Sequence, residues 1–170
     1  MSAATLSSYR WPLVLVLSAL LLALAAAVCA NPLATDNVTA RLVAERPAAT
    51  PGEPLDLALV LDMRPGWHTY WTNPGDSGEP TRIEWRLPEG VRADPIRWPY
   101  PELIRVGPLA NYGYSAHAVH LIRLQVPPAW PLDRPLELVA EAHWLVCAEY
   151  CIPESGELAL TVPVAEALAP

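Results

Sequence analysis

Proline constrains this chain more than any other residue. Twenty prolines are spread along 170 residues, and each one fixes φ and removes a backbone donor, so long helices are disfavoured. The short segments between them alternate apolar and polar residues at period two, which is the signature of half-buried strands. In "PLDLALVLD", Leu55, Leu57, Leu59 and Leu61 share one face. In "TRIEWRL", Ile83, Trp85 and Leu87 oppose Arg82, Glu84 and Arg86. Ile122, Leu124 and Val126 repeat the pattern, as do Leu136, Leu138, Ala140, Ala142, Trp144 and Val146, and then Leu158, Leu160 and Val162. Further strands are expected around "NVTARLVAE" and "GWHTYW". About seven short strands divided by Pro/Gly turns predict an all-β fold, an immunoglobulin-like antiparallel β-sandwich.

The first thirty residues stand outside that pattern. One charge, Arg10, precedes the uncharged run 11–28, and "VCA" supplies small residues for processing after Ala30. This reads as a secretory signal, although a run of that length also suits a retained anchor. Cys29 follows bulky Val28, a poor context for a lipid-anchoring cysteine. The expected mature domain is therefore 31–170, exported to a bacterial periplasm. It keeps ten basic residues against eighteen acidic ones, a net charge of −8. No basic stripe is available to meet phosphates, which argues against nucleic acid. Two turn-rich stretches, 72–80 and 98–115, are expected to be long loops, and loops of that length in a small domain tend to carry function. "NVT" at Asn37 fits a glycosylation sequon and is read as a chance match.

The expected mature domain retains two cysteines, Cys147 and Cys151, in "HWLVCAEYCIPE". Left extended, their α-carbons would be about 13 Å apart, whereas a disulfide needs roughly 4.4–6.8 Å. A bridged pair therefore requires "CAEYC" to bend back, at the end of a strand. Such a small ring stabilises by only about 2 kcal/mol, against nearer 5 for a hundred-residue loop. An oxidising compartment permits the bond. Spacing alone leaves a redox pair and a structural staple level. Glu141, Glu149, Glu154 and Glu157 lie near the pair in sequence, and no arginine follows Arg134. With His143 the one group nearby in sequence able to help a thiolate, the expectation is a reductant or relay rather than a strong oxidant.

His143, Cys147 and Cys151 also form H-x3-C-x3-C, a donor set suited to Cu(I) or Zn. A strand would not gather those three on one short face, and His117 and His120 would point to opposite faces. Ser77, in "GDSGEP", echoes a nucleophile elbow without its register or its helix and reads as a turn. The aromatics of "GWHTYW" and "NYGYS" suit core packing, with covering of the cysteines as the sharper reading.

Taken together, "GWHTYWTNPGDSGEPTRIEWRLPEG", "GPLANYGY" and "WLVCAEYCIPE" resemble the amino-terminal periplasmic domain of the DsbD family of membrane thiol:disulfide reductases, most closely its suppressor-of-copper-sensitivity branch. The resemblance covers nearly all of the mature chain. It implies an immunoglobulin-like domain whose cysteine pair takes electrons from a transmembrane thiol-reductase hub and reduces exported thioredoxin-like proteins. That would be a protein-disulfide reductase relay needing no cofactor. It implies that Cys151 forms the mixed disulfide and Cys147 resolves it. It further implies a cap over the pair, placing Asn111, Tyr112 and Tyr114 near the sulfurs, with Tyr70 at an aromatic position beside them. Family members carry a phenylalanine in the cap, and this chain has no Phe. Two other classes stay open: a copper-handling module using His143, Cys147 and Cys151, and a non-catalytic interaction domain with a structural disulfide.

Overall fold

Leu55, Leu57, Leu59 and Leu61 are all closed to solvent in the computed structural model, which describes residues 32–166. The expected export segment, 1–30, lies outside the described residues. In chain order the strands are β1 (Leu33–Ala34), β2 (Val38–Ala44), β3 (Pro54–Met63), β4 (His68–Gly75), β5 (Arg82–Arg86) and β6 (Arg92–Ala93). They continue with β7 (Glu102–Val106), β8 (Leu109–Ser115), β9 (His117–Gln125), β10 (Leu136–Cys147) and β11 (Cys151–Val162). Two antiparallel sheets result. One runs β1-β2-β3-β9-β6, and the other runs β11-β10-β4-β8-β7 with β5 also paired to β10. This is the all-β, immunoglobulin-like sandwich that the alternation predicts.

The register explains why the alternation is so legible. Leu55, Leu57 and Leu61 stand opposite Leu124, Ile122 and Ala118, so apolar residues meet on the inner face, while Leu59 stands opposite the buried His120. From the facing sheet, Leu136, Leu138, Ala140, Ala142, Trp144 and Val146 of β10 and Leu158, Leu160 and Val162 of β11 close the core. Each buried leucine adds about 1.5–3 kcal/mol over leaving it exposed.

Two expectations are corrected. Residues 98–115 are not a long loop, because they contain the hairpin β7–β8. β7 is a sheet edge exposed along nearly its whole length, so neither of its faces needs an apolar stripe. Likewise, 72–75 continue β4 instead of starting a loop.

Between β1 and β2, the chain is fastened to β11 through Glu154. The Glu154 carboxylate accepts hydrogen bonds from Asn37 N at 3.1 Å, Asn37 Nδ2 at 2.9 Å, Trp144 Nε1 at 3.2 Å and the Thr35 hydroxyl. An inward-pointing carboxylate is tolerable only with such donors around it. Asn37 is buried and spends its amide on this bond, so its side chain is not presented to a modifying enzyme.

Candidate functional site

β10 and β11 form one long hairpin whose register ends with Cys147 opposite Cys151. The intervening Ala148, Glu149 and Tyr150 make the bend that bridging requires. The two cysteines are disulfide-bonded, with α-carbons 4.1 Å apart. Their exposure differs sharply: Cys147 is 2% exposed, whereas Cys151 is open to solvent. The next strand inward begins here too, because β4 meets β10 where His68 stands opposite Cys147.

Strand alternation puts His68 and Tyr70 on one face of β4, and that is the face of the disulfide. The Tyr70 hydroxyl lies 3.9 Å from Cys151 Sγ and 3.2 Å from His68 Nε2. Burial holds the Tyr70 phenol above its ordinary pKa, and a hydrogen bond with Ser77 partly offsets this. Burial pushes the His68 imidazole down, opposed by the charge of Glu102. The site is therefore a line of polar groups, imidazole to phenol to sulfur, under partly desolvated conditions.

The loop 76–80 lies over the Tyr70 ring. A side chain added at Gly78 would sit 2.2 Å from the ring, and the Gly78 φ of 102° is one that other residues rarely adopt. Glycine is required there for both reasons. Asn111 fastens the loop from β8: its Oδ1 accepts from Ser77 N at 3.0 Å and from the Ser77 hydroxyl at 3.1 Å. Asp76 adds two more bonds: its backbone N–H donates to Ala110 O at 3.1 Å, and its carboxylate accepts from Ala110 N at 2.8 Å. Asn111 thus stands behind the covering loop, connected to the sulfurs through Ser77 and Tyr70.

Tyr112 and Tyr114 are not placed there. Gly113 is opposite Tyr70, so alternation turns both tyrosines to the other side of the sheet. Tyr114 packs against His120, with its hydroxyl donating to Pro99 O at 2.9 Å. Tyr112 stacks edgewise on Trp71 and lines an open aromatic groove with Trp98 and Tyr100. The aromatic beside the turn is instead Trp67, whose ring meets Tyr150 edge-on at 5.5 Å.

The histidines and carboxylates also separate. His143 is four residues from Cys147 on the same face, about 13 Å along a strand. Its neighbours are Glu141 and Glu84, the three forming the one cluster of three such donor side chains among the described residues. Arg86 pairs with Glu141 and Glu157, so that patch is an exposed ion network. His117 and His120 fall on opposite faces: the first pairs with Asp62 at 2.6 Å, the second is buried. Of the four glutamates near the pair in sequence, Glu154 points inward and Glu141 and Glu157 are paired with Arg86, leaving Glu149 in the turn itself. The acidic surroundings expected from the sequence are largely dispersed by the fold.

His68, Ser77 and Gly78 also belong to this site, beyond the residues that the sequence motifs single out. For His68 a signal existed, since "HTY" in a strand puts the imidazole and the phenol on one face. Ser77 and Gly78 gave none, because they reach Tyr70 only through tertiary folding.

Residues 39–163 match the family described as thiol:disulfide interchange protein DsbD, N-terminal. Among solved structures, one similar chain is the N-terminal periplasmic domain of ScsB from Proteus mirabilis, at 22% identity and a TM-score of 0.61. That alignment covers 79% of this chain and 51% of the other, so this chain spans about half the length of that structure. The yeast GGA1 GAE domain aligns at 14% identity with a TM-score of 0.42, over 79% of this chain and 99% of that one. No curated protein matches.

Proposed function

The chain belongs to the family of DsbD N-terminal domains, and from that premise we propose that it is a periplasmic relay passing electrons through Cys147 and Cys151. In this reading a transmembrane thiol-reductase hub reduces the pair, and the pair reduces exported thioredoxin-like proteins. The observation that carries it is the asymmetry of the two cysteines. Cys151 is an exposed residue at the tip of a hairpin and Cys147 is buried behind it. Thiol exchange needs in-line access to a single sulfur and a second sulfur that stays near, and this asymmetry supplies both.

In the donating direction, the Cys151 thiolate attacks one sulfur of the partner disulfide. A Cys151–partner bond forms, and the other partner sulfur leaves as thiolate. Cys147 then attacks Cys151 Sγ, restoring the intramolecular bond and releasing the second partner thiolate. Two electrons move to the partner, and the two thiol protons of the pair balance its two thiolates. No cofactor enters the step.

Trapping tests the assignment. Cys147→Ser, incubated with an oxidised thioredoxin-fold protein, is expected to accumulate a reductant-sensitive covalent complex through Cys151. Cys151→Ser is expected to give none. A complex formed only through Cys147 contradicts the assignment.

A further inference from the structure

The Tyr70 hydroxyl carries one proton and has His68 Nε2 at 3.2 Å and Cys151 Sγ at 3.9 Å within reach as acceptors, beside the Ser77 hydroxyl, whose own proton goes to Asn111. The phenol cannot donate to both nitrogen and sulfur. In the disulfide, Cys151 sulfur is only a weak acceptor, but after reduction its S–H becomes a donor. The hydrogen-bond direction along this line is therefore tied to the redox state of the pair.

Building on the relay reading, we propose that His68 is the terminal proton acceptor for the Cys151 thiol, acting through the Tyr70 hydroxyl as a positioning residue for exchange. The thiol proton passes to the phenol oxygen while the phenol proton passes to His68 Nε2. A thiol and a neutral imidazole become a thiolate and an imidazolium, with the tyrosine unchanged between them. The thiolate then attacks the partner disulfide as above. When the pair is reduced by an incoming thiolate, the same path runs backwards and returns a proton to sulfur.

The groups facing His68 fit this role. Tyr70 is two residues away on its own strand, with ring centroids 5.2 Å apart. Cys147 is directly across on β10, with Cys151 beyond it on β11. On the other side Ser115 of β8 stands opposite, and its amide donates to Glu102 of β7. Burial holds the imidazole pKa down, and the Glu102 charge offsets part of that by favouring the imidazolium. What fits it to take and return a proton is its hydrogen bond to the Tyr70 hydroxyl, which a merely packed imidazole such as His120 lacks.

The test is the pH dependence of Cys151 alkylation in the full chain carrying Cys147→Ser, reduced chemically and read on the Cys151 peptide by mass spectrometry. Across roughly pH 5 to 10, free thiols inflect near 8.5. Adding His68→Asn is expected to slow alkylation about tenfold at neutral pH and to move the inflection upward by about one pH unit. Tyr70→Phe, which keeps the ring beneath Gly78, is expected to do the same, and the double variant is expected to add nothing. Profiles that superimpose on the parent within about twofold in either variant overturn the proton path. A lowered melting temperature with an unmoved profile also overturns it, since that is what a packing role gives. No partner is involved, so the outcome is separable from the relay reading. A shifted profile with no trapped complex contradicts the relay and keeps the path, and the converse result contradicts only the path.

Discussion

His68 and His120 are both closed to solvent, at 5% and 0% exposure, yet every polar atom around them differs. His120 lies between the rings of Trp98 and Tyr114, and neither of its nitrogens has a hydrogen-bond partner. Burial pushes its pKa down to about 4. It is a neutral, packed ring in the middle of the sandwich. His68 is at the sheet end beside the disulfide, with Nε2 on a phenol that reaches sulfur. Burial thus has two uses in one small domain. In the core it keeps an imidazole uncharged, and at the hairpin tip it shelters an imidazole and a phenol beside an exposed cysteine. Burial alone does not mark a functional histidine; connection to a reactive atom does.

The contrast can be broken most severely at the sulfur. Cys151→Ser is expected to abolish disulfide exchange with a thioredoxin-fold protein, followed as insulin-type turbidity or as loss of the trapped complex. His120→Leu is expected to leave exchange rates within about twofold of the parent, as for a distant, independent site. If His120→Leu also abolished exchange while remaining folded, the division between the two regions would fail.

Next in size is the covering loop. In Gly78→Val the new side chain meets the Tyr70 ring and the backbone must hold an unfavourable φ. Strain and overpacking together predict about 4 kcal/mol lost in denaturant unfolding. Because the loop covers Tyr70, faster alkylation of the reduced cysteines is expected alongside. A variant as stable as the parent would show that the loop does not press on the ring.

Acid unfolding sharpens the comparison further. A group whose folded pKa is about 4 rather than 6.5 stays neutral in the fold, while the unfolded chain takes up a proton. His120 therefore contributes stability above about 6.5 that is lost as pH falls towards about 4, up to about 3 kcal/mol. His120→Leu is expected to flatten the stability profile across that window. Asp56, held at about 2 by Arg123 and Arg97, is a carboxylate whose contribution is lost only below 3.8, so the two windows are distinguishable. A curve unchanged by His120→Leu would contradict the packed-neutral reading.

The smallest effect is expected on the outer face of the hairpin. Arg86, Glu141 and Glu157 are all largely exposed, and an exposed pair is worth under about 1 kcal/mol. Glu157→Gln is expected to move stability by less than about 0.5 kcal/mol and to leave the Cys151 alkylation profile in place. A shifted profile would return these carboxylates to the neighbourhood of the pair.

The sandwich was legible because its inner residues recur at period two. Leu55 to Leu61 and Leu136 to Val146 each announce a buried face without knowledge of their partners. β7 was not legible, since an exposed edge strand imposes no such alternation. The cysteines were legible because a four-residue separation restricts local geometry whatever the rest of the chain does. The environment of the sulfurs was not. Tyr70 and Cys151 are 81 positions apart, and Ser77 and Asn111 are 34 apart, so their meeting depends on sheet order. The family resemblance brought Tyr70 and Asn111 into consideration. It could not show that Asn111 reaches the site through Ser77, or that alternation turns Tyr112 and Tyr114 away. Counting glutamates near the pair failed for a related reason, since strand faces and Arg86 redistribute them.

Central to the account is that Cys147 and Cys151 cycle between disulfide and dithiol. A redox titration against defined thiol buffers, with the pair quantified by mass spectrometry after alkylation, measures this directly. A reversible two-electron transition is expected above about −300 mV, the region left free by structural disulfides of secreted proteins. A pair that stays oxidised until well below about −300 mV, or that reduces without reoxidising, would make it a staple.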